Sequence, residues 1–282
     1  MRWIAALCAS AGLVAHAADP KLTIVVCSPG SPGSTEDAKA AMDAFASAVS
    51  AKAGVPLAVI YDPSEDAGAG RLKESGIGIV SLPFFLKHEK DLALHARLEV
   101  VQKGRPALDR WALAAQKGRV KRADALAGFT ITSNAAFAPG FVRGAVAAEL
   151  GAVPANVQLM QSTAVLSALR RAADGEASAV LLDGPQTAAL ASLPFAAKLE
   201  VVARSPEMPV ALVVTIDARV PDKTWSGLAG AFLGLASDPN AATALDGVHI
   251  SKFGPVEDKP LAAARQLYAT GAATEGRRAG KP

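Results

Sequence analysis

The 282 residues contain two cysteines, Cys8 and Cys27, so few that disulfides cannot organise the fold. An excess of one charge is missing too: 29 Lys and Arg stand against 26 Asp and Glu. Without a basic patch or stripe to neutralise phosphates, nucleic acid is not an expected partner. No stretch stays apolar for the about 20 residues that a membrane-crossing helix needs. The Gly-rich run Ser28-Pro-Gly-Ser-Pro-Gly33 lacks the Gly-Lys-Ser/Thr ending of a P-loop, although its backbone N–H groups could face a ligand. Ser, His and Asp never meet at motif spacing, no G-x-S-x-G elbow occurs, and no acid–base pair is recognisable, so no enzyme activity is expected. His88 and His95, read on one helix, fall two turns apart rather than at the i,i+4 spacing that pairs ligands, so no metal site and no cofactor is expected. His249 reads as structural, and no solenoid period is visible.

Arg2 precedes the short apolar run Trp3–Val14, followed by Ala15-His16-Ala17. That order is a secretory signal peptide, 1–17, with cleavage predicted after Ala17. Cleavage removes Cys8 and leaves Cys27 alone, within the strand-like Leu22–Cys27, where a free thiol is expected to be buried. The basic tail after Glu275 reads as a frayed, solvated terminus.

After Asp19 short β-branched runs alternate with amphipathic segments, the signature of α/β layers. Strands are predicted at Leu22–Cys27, Leu57–Tyr61, Ile77–Val80, Arg110–Gln116, Phe129–Thr132, Val157–Met160, Ala179–Leu182, Leu199–Ala203 and Val210–Ile216. Helices are predicted at Ser34–Ala53, capped by Ser34 with Asp37 and stopped by Gly54, at Pro139–Leu150 and Thr163–Ala173, around Trp225–Leu235 and near Leu261–Tyr268. The two prolines of Arg204-Ser-Pro-Glu-Met-Pro209 suit a rigid crossover.

Four strings in this order carry a resemblance: Ile77-Gly-Ile-Val-Ser-Leu-Pro83, Ala123-Asp-Ala-Leu-Ala-Gly-Phe-Thr130, Gly175-Glu-Ala-Ser-Ala-Val-Leu-Leu-Asp183 and Ser205-Pro-Glu-Met-Pro209. With them the mature chain resembles the phosphonate- and phosphite-binding receptors of ABC importers. The resemblance implies a two-lobed type II periplasmic binding protein, each lobe a mixed, mainly parallel sheet flanked by helices. Residues 18–114 would begin lobe I, 115–204 form lobe II, and 205–282 return to lobe I. It further implies a periplasmic solute receptor, a monomer that takes a small-molecule ligand into the interlobe cleft and delivers it to an inner-membrane ABC permease. A secreted sensor or a lipid-carrier partner on the same fold is the alternative.

The resemblance places the ligand against Ser81, the aromatic Phe84 or Phe85, and the segment Thr132-Ser133-Asn134, whose polar groups are expected to cap the following helix and donate to the ligand. Ala135, Ala136 and Phe137 stand where the family has hydroxyls, and after Met208-Pro209, where it has an acid, this chain continues Val210-Ala-Leu. The residues themselves add Ser28, Tyr61 at a strand end, and Asp183, which either caps a helix or faces the cleft. Each departure removes a polar or acidic group, which favours a ligand less polar than a phosphonate, even a lipid.

Overall fold

The structure is a computed structural model that describes residues 22–31 and 33–279, with side chains as far as residue 274. The predicted signal peptide, with Arg2 and Cys8, and residues 280–282 lie outside the described residues.

The first part runs β1 (Leu22–Cys27), α1 (Thr35–Ala53), β2 (Leu57–Asp62), α2 (Glu65–Ser75), β3 (Ile77–Ser81), α3 (Leu82–His88) and β4 (Leu94–Gln102). The capping box expected at Ser34 is present: its Oγ accepts from the Asp37 N–H at 3.1 Å, and Asp37 Oδ2 accepts from the Ser34 N–H at 3.2 Å. Gly54 ends α1 in the left-handed region, φ 70°. His88 and His95 do not share a helix. α3 ends at His88, Ala93 turns the chain at φ 50°, and His95 belongs to β4, where its Nδ1 meets Asp217 Oδ2 at 2.7 Å.

The middle part holds β5 (Leu108–Asp109), β6 (Ala112–Gln116), β7 (Thr130–Ser133), α4 (Pro139–Leu150), β8 (Gln158–Gln161), α5 (Val165–Ala173), β9 (Ser178–Leu182), α6 (Gly184–Ala189) and β10 (Leu199–Arg204). The chain then returns through β11 (Met208–Pro209), β12 (Ala211–Ile216), α7 (Asp222–Leu235), α8 (Ala242–Gly247), β13 (Ile250–Gly254) and α9 (Asp258–Ala279). Residues 275–279, read as frayed from the sequence, continue the backbone of α9.

Two sheets result. One has the order β13-β4-β12-β3-β1-β2 and the other β10-β6-β9-β7-β8. They are mixed rather than mainly parallel: β1 pairs in parallel with β2 and β3, and β7 with β8 and β9, while β12, β4, β13, β6 and β10 make antiparallel pairs. Only β12 and β13 in the first sheet and β6 in the second run against the parallel strands; β4 and β10 run with them and oppose only the reversed neighbours that they pair with. The crossings pair with each other, since β5 and β11 form a two-stranded antiparallel ribbon with Met208 opposite Asp109.

One core lies between the six-stranded sheet and α1, α7 and α8, with Phe45, Phe232 and Phe253 ring to ring. A second is continuous across both sheets, from Val25, Val80 and Phe85 to Leu113, Phe137 and Phe141, and takes in Leu261, Ala264 and Leu267 of α9. The end of the return, α9, packs along α4 of the middle part. The contact is intimate, because a Cβ at Gly271 would overlap the Gly140 carbonyl oxygen and one at Gly144 the Leu267 carbonyl oxygen. On the other side Arg265 of α9 pairs with Glu89 at 2.6 Å, beyond α3.

Candidate functional site

In α/β sheets the open ground for a ligand lies beyond the carboxyl ends of the parallel strands. Here β1 ends before Ser28, β3 at Ser81, β7 before Asn134 and β9 before Asp183, and all four residues line one cavity of about 150 Å³ between the two sheets. A cavity of about 150 Å³ admits a molecule of about benzene's size. The crossings close it further: Gln102, Arg105, Asp109 and Trp111 come from the first, Pro209 and Val210 from the second.

Five of the eleven residues singled out from the sequence thus come together: Ser28, Ser81, Asn134, Phe137 and Asp183. Ser28 Oγ bonds Ser31 Oγ at 2.9 Å. The loop they belong to presses against the opposite wall, since a Cβ at Gly30, φ 80°, would overlap the Asn134 carbonyl oxygen. Ser81 Oγ and Asn134 Oδ1 are enclosed without a hydrogen-bond partner. The Phe137 carbonyl accepts from Lys87 Nζ at 2.8 Å, which ties α3 to the far sheet. Asp183 fills both roles open to it. It caps α6, accepting from the Gln186 N–H at 3.0 Å, and its Oδ2 accepts from Arg105 Nη2 at 2.9 Å.

The other six lie elsewhere. Phe84 and Phe85 are fully buried in the core shared by both sheets, Phe84 against the His88 ring and Phe85 beneath Arg265. Met208 is buried in the same core, with its backbone in the ribbon. Tyr61 points into the α1 side of the sheet, where burial first, then the charges of Cys27 and Asp62, raise its phenol. Thr132 and Ser133 are buried within β7, and Ser133 Oγ accepts from the Ala135 N–H at 3.2 Å. No side chain of that segment caps α4. A turn intervenes, and Ala138 and Pro139 begin the helix. Cys27 is fully buried as expected, and burial, then the charges of Asp62 and Glu65, push its thiol up to about 12, which leaves it unreactive at neutral pH.

Sequence reading missed Arg105, Asp109 and Trp111. The signal was available: the second crossing was recognised by its prolines, and a chain that crosses once must cross back, so charged or aromatic residues at the first crossing border the same gap.

No protein-family profile and no curated protein matches the sequence. Solved structures do. A Xanthomonas citri protein bound to ATP superposes over 91% of this chain and 99% of its own, with TM-score 0.68 and 14% identity. The binding protein component of an ABC phosphonate transporter from Pseudomonas aeruginosa covers 92% of this chain and 89% of its own, with TM-score 0.62 and 16% identity. The fold is that of the type II periplasmic binding proteins. PhnD1 from Prochlorococcus marinus, in complex with methylphosphonate, shares it at TM-score 0.60 and 13% identity, over 90% of this chain and 98% of its own. On this binding-protein fold the cavity between the sheets is the interlobe cleft.

Proposed function

We propose that the protein is a non-enzymatic solute receptor of the periplasm, exported by the signal peptide that ends at Ala17. A monomer, it captures a small molecule between lobe I (18–114 and the return after 204) and lobe II (115–204), and hands it to an inner-membrane ABC permease. The observation that carries this reading is a single cavity whose walls come from the strand ends of both sheets and from both crossings. Structural neighbours that include the phosphonate-transporter component of Pseudomonas aeruginosa support the transport role.

The guest is less polar than a phosphonate. Ala135, Phe137, Trp111 and Val210 line the cleft, and burying apolar surface there gains about 25 cal/mol per Å². Size narrows the expectation of a lipid to something much smaller, because a space of about 150 Å³, which suits a molecule of about benzene's size, is too small for an acyl chain.

Native mass spectrometry of protein released gently from the periplasm tests the proposal. One small molecule is expected per chain, and Ser31→Trp, which puts an indole into the cavity that Ser31 lines, should abolish it. A wild-type protein that carries no adduct, and whose unfolding temperature no extract of small metabolites raises, would overturn the receptor reading.

A further inference from the structure

Three charged side chains line the cleft, Arg105, Asp109 and Asp183, and each is already engaged by the protein. Arg105 gives Nη2 to Asp183 Oδ2 at 2.9 Å and Nη1 to Gln102 Oε1. Asp109 Oδ2 accepts from the Gly184 N–H at 3.0 Å, and its Oδ1 from the Arg110 N–H at 2.7 Å. The fit at Gly184 is tight enough that a Cβ there would overlap the Asp109 carboxylate. One cation therefore faces two carboxylates, and the chain supplies its own anions to the groups that would otherwise greet an anionic guest.

We infer that Asp109 and Asp183 are specificity determinants that close the cleft to anions, and that its guest is a small molecule without negative charge. This rests on the reading of the cleft as a ligand site. An entering anion must either displace Asp183 from Arg105, stranding a half-buried carboxylate, or lie beside two carboxylates in a space where charges are weakly screened. The flat faces of Trp111 and Phe137 suit a neutral or cationic guest equally.

Three molecules of one shape separate charge from size: methanesulfonamide is neutral and carries N–H donors, methanesulfonate is a monoanion, and methylphosphonate carries the most negative charge. Calorimetric titration of the protein should rank them in that order, neutral tightest. Asp183→Asn keeps a good cap for α6 while releasing Arg105, and should raise methylphosphonate affinity roughly 10- to 100-fold, the worth of a freed charged hydrogen bond. Should that variant fail to fold by circular dichroism, Asp109→Asn is read for the same gain. Wild-type protein that prefers methylphosphonate to methanesulfonamide, or variants that gain nothing for the anion, overturn the inference. If no probe binds the wild type, the gain in the variant decides alone. Tight phosphonate binding would leave the receptor reading standing, because a ligand would still occupy the cleft.

Discussion

Glu99 is a carboxylic acid inside the six-stranded sheet, 4% exposed, whose Oε1 accepts from the Glu257 N–H at 2.8 Å. Burial raises its pKa above the ordinary value of 4.5; the Glu257 hydrogen bond works against this and the Glu257 charge adds to it. An acid whose pKa is higher folded than unfolded favours the folded state below its unfolded pKa, and that benefit is lost as pH rises through the folded value. Glu99→Gln retains an acceptor and removes the charge. It is expected to raise the unfolding temperature at pH 8 and to leave it unchanged near pH 4, as calorimetry at both pH values would show; an equal effect at both would refute the burial argument. Four of the five cleft residues legible in the sequence, Ser28, Ser81, Asn134 and Asp183, stand at or just past the end of a predicted strand, while Phe137 was pointed to by the resemblance. Phe84 and Phe85 misled because a single turn after β3 sends both rings into the core between the sheets. Arg105 and Asp109 were hidden because their partners, Asp183 and Gly184, lie some 75 residues away along the chain.

Among the elements, the parallel strands could be read from their β-branched runs between turn signals, and α1 from its capping box. Several others could not, β4, β13 and α2 among them. β4 mixes His95, Arg97 and Glu99 into its apolar residues and follows a charged, helix-like stretch. β13 exposes Ser251 and Lys252 between its buried ends. α2 buries only Gly68 and Leu72, too little for an apolar face; Gly68 is required because a Cβ there would overlap Cys27 Sγ. The contact of α4 with α9 was likewise silent, since it is built from glycines. Gly271→Ala is expected to destabilise by about 1–3 kcal/mol, because the new methyl forces two backbones apart. Gly230→Ala, on the exposed side of α7 with nothing within 4 Å, is expected to stabilise by roughly 0.5–1 kcal/mol through helix propensity alone. Denaturant titrations measure both; equal effects would show that α9 is not seated against α4 in solution.

At the scale of the molecule, one hydrophobic core runs through both lobes, with α9 lying across it and Lys87 reaching the Phe137 carbonyl. Lobes that share a core unfold together, so scanning calorimetry should show a single transition, with calorimetric and van't Hoff enthalpies equal. Two separated transitions would mean that the lobes are independent. The two crossings lie side by side, with Met208 opposite Asp109 in the ribbon. The same Asp109 holds the Gly184 amide through its side chain. A single residue therefore fastens the strap between the crossings by its backbone and the first turn of α6 by its carboxylate.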